Sequence, residues 1–251
     1  MCTNYLPTAR DRFKAAQLGV SHLPESEWPP EVFPGYIAPI VLMGSKSSEL
    51  AQVPEVQLAR FGLIPRWSRD TAHANALARH TYNARIETVA EKPSFRSAWR
   101  ARQWALVPMM SYFEYCFESA RPVRWRISQT NSKPFFCAGL WECWQDPSNA
   151  SNAPNSLISA ANADCHTSFT LLTVNADQHP VASRMHRPGD EKRMPLIVDG
   201  DRLGDWLSAT LNDAAQLVRI NARVDLTAEA APKVASNPLV SSPYPTTGNL
   251  F

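Results

Sequence analysis

What most constrains the fold of this chain is a succession of short apolar runs, each closed by a turn. "IAPIVLM", "VQLARFG", "WALVPM", "VRWRIS", "PFFCAGLWECW", "SFTLLTV" and "MPLIV" are apolar or alternate apolar with polar residues, which is the pattern of strands. They come at irregular intervals and do not alternate with helices, so a doubly wound parallel sheet is disfavoured. Two stretches read as helical. One is "DRFKAAQLGV"; the other is "RLGDWLSATLNDAAQLVRI", capped by Asp201, with Leu203, Trp206, Leu207, Leu211 and Val218 largely on one face. "DPSNASNAPNSLISAANAD" is small, polar and free of aromatics, and reads as a surface loop between two strands. These patterns predict one α+β domain dominated by antiparallel strands. The domain is expected over 2–225, with 226–251 an extended C-terminal tail packed on it or trailing from it.

At 251 residues the chain can bury a real core. No run of 18 or more residues is apolar throughout, and the N-terminus lacks a secretory pattern, so a cytoplasmic protein without membrane contact is expected. The five cysteines (Cys2, Cys116, Cys137, Cys143 and Cys165) are odd in number and form no CxxC. They read as reduced, the middle ones as core thiols, and the histidines show no metal-ligand spacing near them. The net charge of +2 hides an asymmetry: nine basic residues against three acidic ones between Arg60 and Arg102 leave +6 there. Such a stretch is a solvated basic face or a phosphate-binding one.

Cys2 poses the chemical question. Were Met1 removed, an α-amine of pKa about 8 would sit two carbons from a thiol of pKa about 8.5. Such a 1,2-aminothiol condenses with an aldehyde and closes to a thiazolidine; it can also serve as a hydrolase nucleophile with its own amine as base. In "YNARIETV", a strand would put Asn83, Arg85 and Glu87 on one side, facing solvent or a polar pocket. In "VPMMSYFEYC", Glu114 is surrounded by apolar residues; burial would raise its pKa and suit it to acid or base work near neutrality, unless it turns out to solvent. In "SRMHRPGDEKRMPLIV", His186 precedes a turn and could exchange protons with a hydroxyl or oxyanion.

Taken in order, Cys2, "YIAP", "FGLIPRW", "NARIETV", "KPSFR", "YFEY", "AGLWE" and a His followed by "RMPLIV" resemble the SOS-response-associated peptidase (SRAP) family of abasic-site processing proteins, over roughly residues 2–198. The resemblance carries the expectation of a curved, barrel-like sheet core with short flanking helices. It implies that Cys2 forms a thiazolidine crosslink with the aldehyde of an abasic site in single-stranded DNA. Asn83 would position the cysteine and the sugar, Glu114 would act as acid and base, and His186 would move protons at the sugar hydroxyl. Arg85 would grip a phosphate, Trp67 would stack on a base, and Pro39, Asn4 and Thr173 would complete the DNA-contacting set. No cofactor or metal is called for. The expected partner is abasic single-stranded DNA, with replication-associated proteins as further candidates, acting on a monomer that is nucleoid-associated when on DNA. The sequence departs from the commoner opening Cys-Gly-Arg-Phe, having Thr3, Asn4 and Tyr5, so one arginine anchor is absent. Two other readings stand beside it, the first using the same Cys2 and the second the basic 60–102 stretch with exposed aromatics. One is an N-terminal-nucleophile cysteine peptidase or amidase whose nearest bond is Met1–Cys2; the other is a non-covalent single-stranded nucleic-acid binding module.

Overall fold

The computed structural model describes residues 2–13, 20, 22–44, 53–119, 121–147, 165–219 and 225–232. Among the described residues eleven strands build one sheet: β1 (Asn4–Pro7), β2 (Ile37–Met43), β3 (Pro54–Phe61), β4 (Asn83–Arg85), β5 (Trp104–Cys116), β6 (Val123–Gln129), β7 (Phe135–Trp144), β8 (His166–Asn175), β9 (Arg193–Pro195), β10 (Ile197–Val198) and β11 (Leu226–Ala230). The helices are α1 (Arg10–Phe13), α2 (Thr71–Ala78), α3 (Arg96–Arg100), α4 (Leu203–Ser208) and α5 (Leu211–Arg219). Pairing runs β7–β8–β3–β2–β5 and returns from β5 to β7, so five strands close a ring. Among the described residues only β3–β8 and β4–β8 pair in parallel. This is the expected α+β architecture, with a curved core dominated by antiparallel strands.

Side-chain alternation sorts the core into two layers. Ala38, Ile40 and Leu42, Ala59 and Phe61, Ala105, Val107 and Met109, and Phe169 and Leu171 point into one cluster, enclosed by the ring. Val41, Leu106, Ala138 and Leu172 point the other way, where Trp99 of α3 and Leu203, Trp206 and Leu207 of α4 cover them. One irregularity decides what reaches the interior. Leu6 pairs with Ser111 but Pro7 pairs with Met109, so Met110 is an extra residue in β5. The bulge changes the phase of the strand. Before it odd-numbered residues face inward; after it Tyr112 and Cys116 do, with Glu114 between them on the same side.

Three readings of the sequence change. The long C-terminal helix is two: α4 ends at Ala209, whose backbone is extended, and Thr210 with Asp213 forms a reciprocal cap that starts α5. Asp201 is not the cap; it lies in a 3-10 turn at Gly200–Arg202 that Asp199 caps through the Asp201 amide. "MPLIV" divides at Leu196, whose amide donates to Leu172 of β8 and whose carbonyl accepts from Ala138 of β7. Cys143 and Cys165 form a disulfide with Cα atoms 5.5 Å apart, correcting the reading of five reduced thiols; Cys2, Cys116 and Cys137 are free. A spacing of 22 residues conceals the pairing, because adjacency of β7 and β8 is what brings the two together. Of the first predicted helix, residues 11–13 lie in α1 and Val20 is not helical; 14–19 lie outside the described residues, as do 148–164 of the predicted loop. The predicted tail begins with β11, which pairs with β6; residues beyond 232 are outside the described set. Among the described residues no helix is long and apolar enough to cross a membrane.

Candidate active site

The N-terminal segment enters the ring's interior alongside β5. Cys2 is 1% exposed and belongs to the interior cluster. Asn83, the first residue of β4, fixes it from the side: its Nδ2 donates to the Cys2 carbonyl at 2.8 Å. The Cys2 thiol donates to the Asn4 carbonyl at 3.5 Å. Its pKa is pushed up, first by burial and then by the negative charge of Glu114, so the resting sulfur is a thiol.

Glu114 is 6% exposed, on the inner face that the Met110 bulge gives it. Burial raises its carboxyl to about 7. Its Oε2 lies 3.5 Å from Nδ1 of His186. The other ring nitrogen, Nε2, is 2.9 Å from the Arg193 carbonyl; a carbonyl only accepts, so Nε2 carries the hydrogen. Nδ1 is thereby left to face the acid, and burial lowers the His186 pKa. A raised carboxyl beside a lowered imidazole favours one proton held on the Glu114 side near neutrality, with the ring uncharged. His186 also has φ +66°, a left-handed conformation uncommon for side chains of this size. Its amide donates to Tyr115 at 2.8 Å, which ties it to the residue next to Glu114.

Cys2, Asn83, Glu114 and His186 thus come from four distant parts of the chain to one interior place. The sequence reading missed several neighbours. Tyr5 and Tyr112 lie opposite each other in the β1–β5 pairing. Both are fully buried, and their hydroxyls, like Oδ1 of Asn83, lack a hydrogen-bond partner among the described residues. Arg193, 2% exposed, spends its whole guanidinium on Glu87, Glu191 and Thr173. The signal in the sequence was "RMP", whose arginine looks like one more surface charge.

The remaining predicted residues fall in different places. Trp67 is 45% exposed on the loop after β3, its indole N–H donating to Pro93 and its ring beside His73. Arg85 shares the Asn83 side of β4 and is half exposed, in an ion pair with Glu191 at 2.8 Å. Glu87 lies past the end of β4, yet rejoins the cluster through Arg193. Thr173 is not at the surface: fully buried, its hydroxyl donates to Ala84 and accepts from Arg193. Pro39 is buried and alternates with Ala38 and Ile40, so it faces the outer layer rather than Cys2. Asn4 is buried too, its amide donating to Glu31. Glu31 also pairs with Arg124, whose guanidinium stacks 3.4 Å from the Phe113 ring centre. An arginine therefore stands beside Asn4, but a carboxylate neutralises it. The basic stretch is similarly answered from elsewhere, Arg66 by Glu142 and Arg85 by Glu191.

Relatives of the chain carry a consistent label. Abasic site processing protein YoqW of Bacillus subtilis is 26% identical over 88% of this chain and 85% of its own. Abasic site processing protein YobE, also of Bacillus subtilis, is 27% identical over 88% and 87%. A crystal structure of a Bordetella bronchiseptica protein superposes with a TM-score of 0.76 at 27% identity, covering 92% of this chain and all of that one. The family model described as SOS response associated peptidase matches residues 1–237, and to that family, SRAP, this chain belongs.

Proposed function

We propose that this protein processes abasic sites in single-stranded DNA by forming a covalent thiazolidine through Cys2, once Met1 has been removed. The observation that carries the reading is the convergence of Cys2 and Asn83, joined at 2.8 Å, with Glu114 and His186, paired at 3.5 Å, in one buried site. The names of the relatives, abasic site processing proteins, point the same way.

An abasic deoxyribose is mostly a closed ring, and its aldehyde appears only on opening. Glu114, with a carboxyl near 7, can protonate the ring oxygen while the uncharged His186 takes the proton of the anomeric hydroxyl; as carboxylate it then accepts a proton from the attacking amine while His186 returns its proton to the new hydroxyl. The Cys2 amine adds to the aldehyde carbon, and the carbinolamine loses one water to give an imine. The sulfur then adds to the imine carbon while its proton passes to the ring nitrogen, through Glu114 or His186. Aminothiol and aldehyde thus become thiazolidine and one water, with no redox change. Asn83 holds the Cys2 carbonyl and so fixes the direction in which amine and thiol project. Arg85 contacts a phosphate beside the lesion and Trp67 a neighbouring base, while Thr173 acts from beneath by holding Arg193.

The test is an intact mass after incubation with an abasic single strand. A species equal to the protein without Met1, plus DNA, minus one water, and absent from Cys2→Ala, is expected. An adduct that persists in Cys2→Ala, or Met1-free protein that stays unmodified, would overturn the reading.

A further inference from the structure

Arg85 is a half-exposed cation on the strand that begins with Asn83. It stands two residues beyond Asn83 on the same side of β4, about 7 Å along the strand from the residue that holds Cys2. It is not waiting empty-handed. One oxygen of Glu191 lies 2.8 Å from Arg85 Nη1, and the other lies 2.5 Å from Nη1 of Arg193.

An exposed ion pair would ordinarily mean little, since two long side chains drift apart in water. Glu191 differs because one end is moored. Arg193 is 2% exposed and fixed by both oxygens of Glu87 and by the hydroxyl and carbonyl of Thr173. The backbone under Glu191 is held as well: Lys192 Nζ donates to the carbonyls of His186 and Arg187, and its amide donates to Asp177. Arg193 accordingly holds the Glu191 carboxyl below the usual carboxylate range, so it is an anion across the neutral pH range. Two arginines and two glutamates then sum to zero at the one spot where the chemistry calls for a positive charge.

We propose that Glu191 is a built-in occupant of the phosphate position at Arg85, which DNA must displace, and which weakens binding to strands that cannot repay the exchange by forming the covalent bond. The proposal rests on the reading of the site as a DNA-processing one. It gives the turn between His186 and β9 a purpose: its acidic end sets how tightly undamaged single strands are held. A single strand delivers its own phosphate oxygens in the geometry a guanidinium fork accepts, so one carboxylate is exchanged for one phosphate.

The exchange can be read at equilibrium in full-length Cys2→Ala protein, in which no adduct forms. A fluorescent single-stranded oligonucleotide, intact or carrying a stable tetrahydrofuran abasic analogue, is titrated at several salt concentrations. Glu191→Gln keeps the shape and an acceptor for Arg193 while removing the charge. It is expected to tighten binding about 3- to 10-fold at low salt and to steepen the logarithmic salt dependence by about 0.7, the value of one released counterion on a single strand. The gain should vanish when Arg85→Ala is added. Glu191→Asp, which keeps the charge but is too short to span both arginines, should fall between. Binding with an unchanged constant and slope in Glu191→Gln, or a gain that survives Arg85→Ala, would overturn the proposal and leave the DNA-processing reading intact. No DNA binding by any of these proteins, together with no adduct from unmutated Cys2, would overturn both.

Discussion

Burial of Glu114 couples its protonation to folding. Its carboxyl titrates at about 7 in the folded chain against 4.5 ordinarily, so the folded state holds the proton more tightly than the unfolded one. The stabilisation this gives is complete below the ordinary value and is lost as pH rises through about 7. The full effect is on the order of 3 kcal/mol, at about 1.36 kcal/mol for each tenfold difference in proton affinity. Denaturant midpoints of Glu114→Gln should therefore stay flatter across that window than those of the unmutated protein; parallel curves would contradict the burial argument. The same variant should slow adduct formation by about 10²–10⁴-fold, the usual range for a lost acid–base group. At His186 the backbone can be separated from the ring. Asn accepts a positive φ readily, so His186→Asn should lose crosslinking rate with little loss of stability, whereas His186→Ala should lose both, by roughly 1 kcal/mol more. Comparing the two melting curves with their single-turnover rates checks it.

At the scale of elements, the extra residue in β5 sets which face the acid occupies. Deleting Met110 would restore an unbroken alternation and leave Glu114 on the inner face, because Met109 and Ser111 already pair with consecutive residues of β1, whereas deleting Phe113, beyond the bulge, would turn Glu114 away from Cys2. Both shortened proteins should keep their strand signature in circular dichroism, but only the one lacking Met110 should still form the adduct. The T210A change should cost about 1 kcal/mol by removing the reciprocal cap of α5, and leave the crosslinking rate unchanged. These two features also mark how far the sequence could be read. The strand runs were legible because β2, β3, β6, β7 and β8 each lie between turn residues. The bulge was not, because "VPMMSYFEYC" is apolar on nearly every position and carries no phase to lose. The division of α4 from α5 was written in Thr210 and Asp213, but the periodic leucines around them read straight through. Cys2, Asn83, Glu114 and His186 each stood out by local chemistry, but only the resemblance joined them into one site; Arg193 and Glu191 were hidden because Thr173, Glu87 and Arg85, which give them their importance, lie far along the chain.

Over the whole molecule, charge counted along the sequence overstates what the surface offers. Arg66 and Arg85, two of the nine basic residues between Arg60 and Arg102, are each answered by a carboxylate from elsewhere in the chain, so the salt dependence of DNA binding should be shallower than nine basic residues suggest. A slope corresponding to all nine would show those ion pairs to open in the complex. The Cys143–Cys165 bridge closes a loop of 22 residues, and its reduction should lower stability by about 3 kcal/mol in the loop-entropy estimate, read as a fall in melting temperature with reductant that Cys143→Ser abolishes. The pairing of β1 with β5 has a consequence in time. Any separate enzyme that trims the first residue has to reach it before Cys2 is enclosed, yet Cys2 cannot be enclosed until its neighbour strand, ending at Cys116, has left the ribosome. At about 5–20 residues per second, roughly 5–20 s of translation separate the two, so the nascent chain itself keeps the trimming window open.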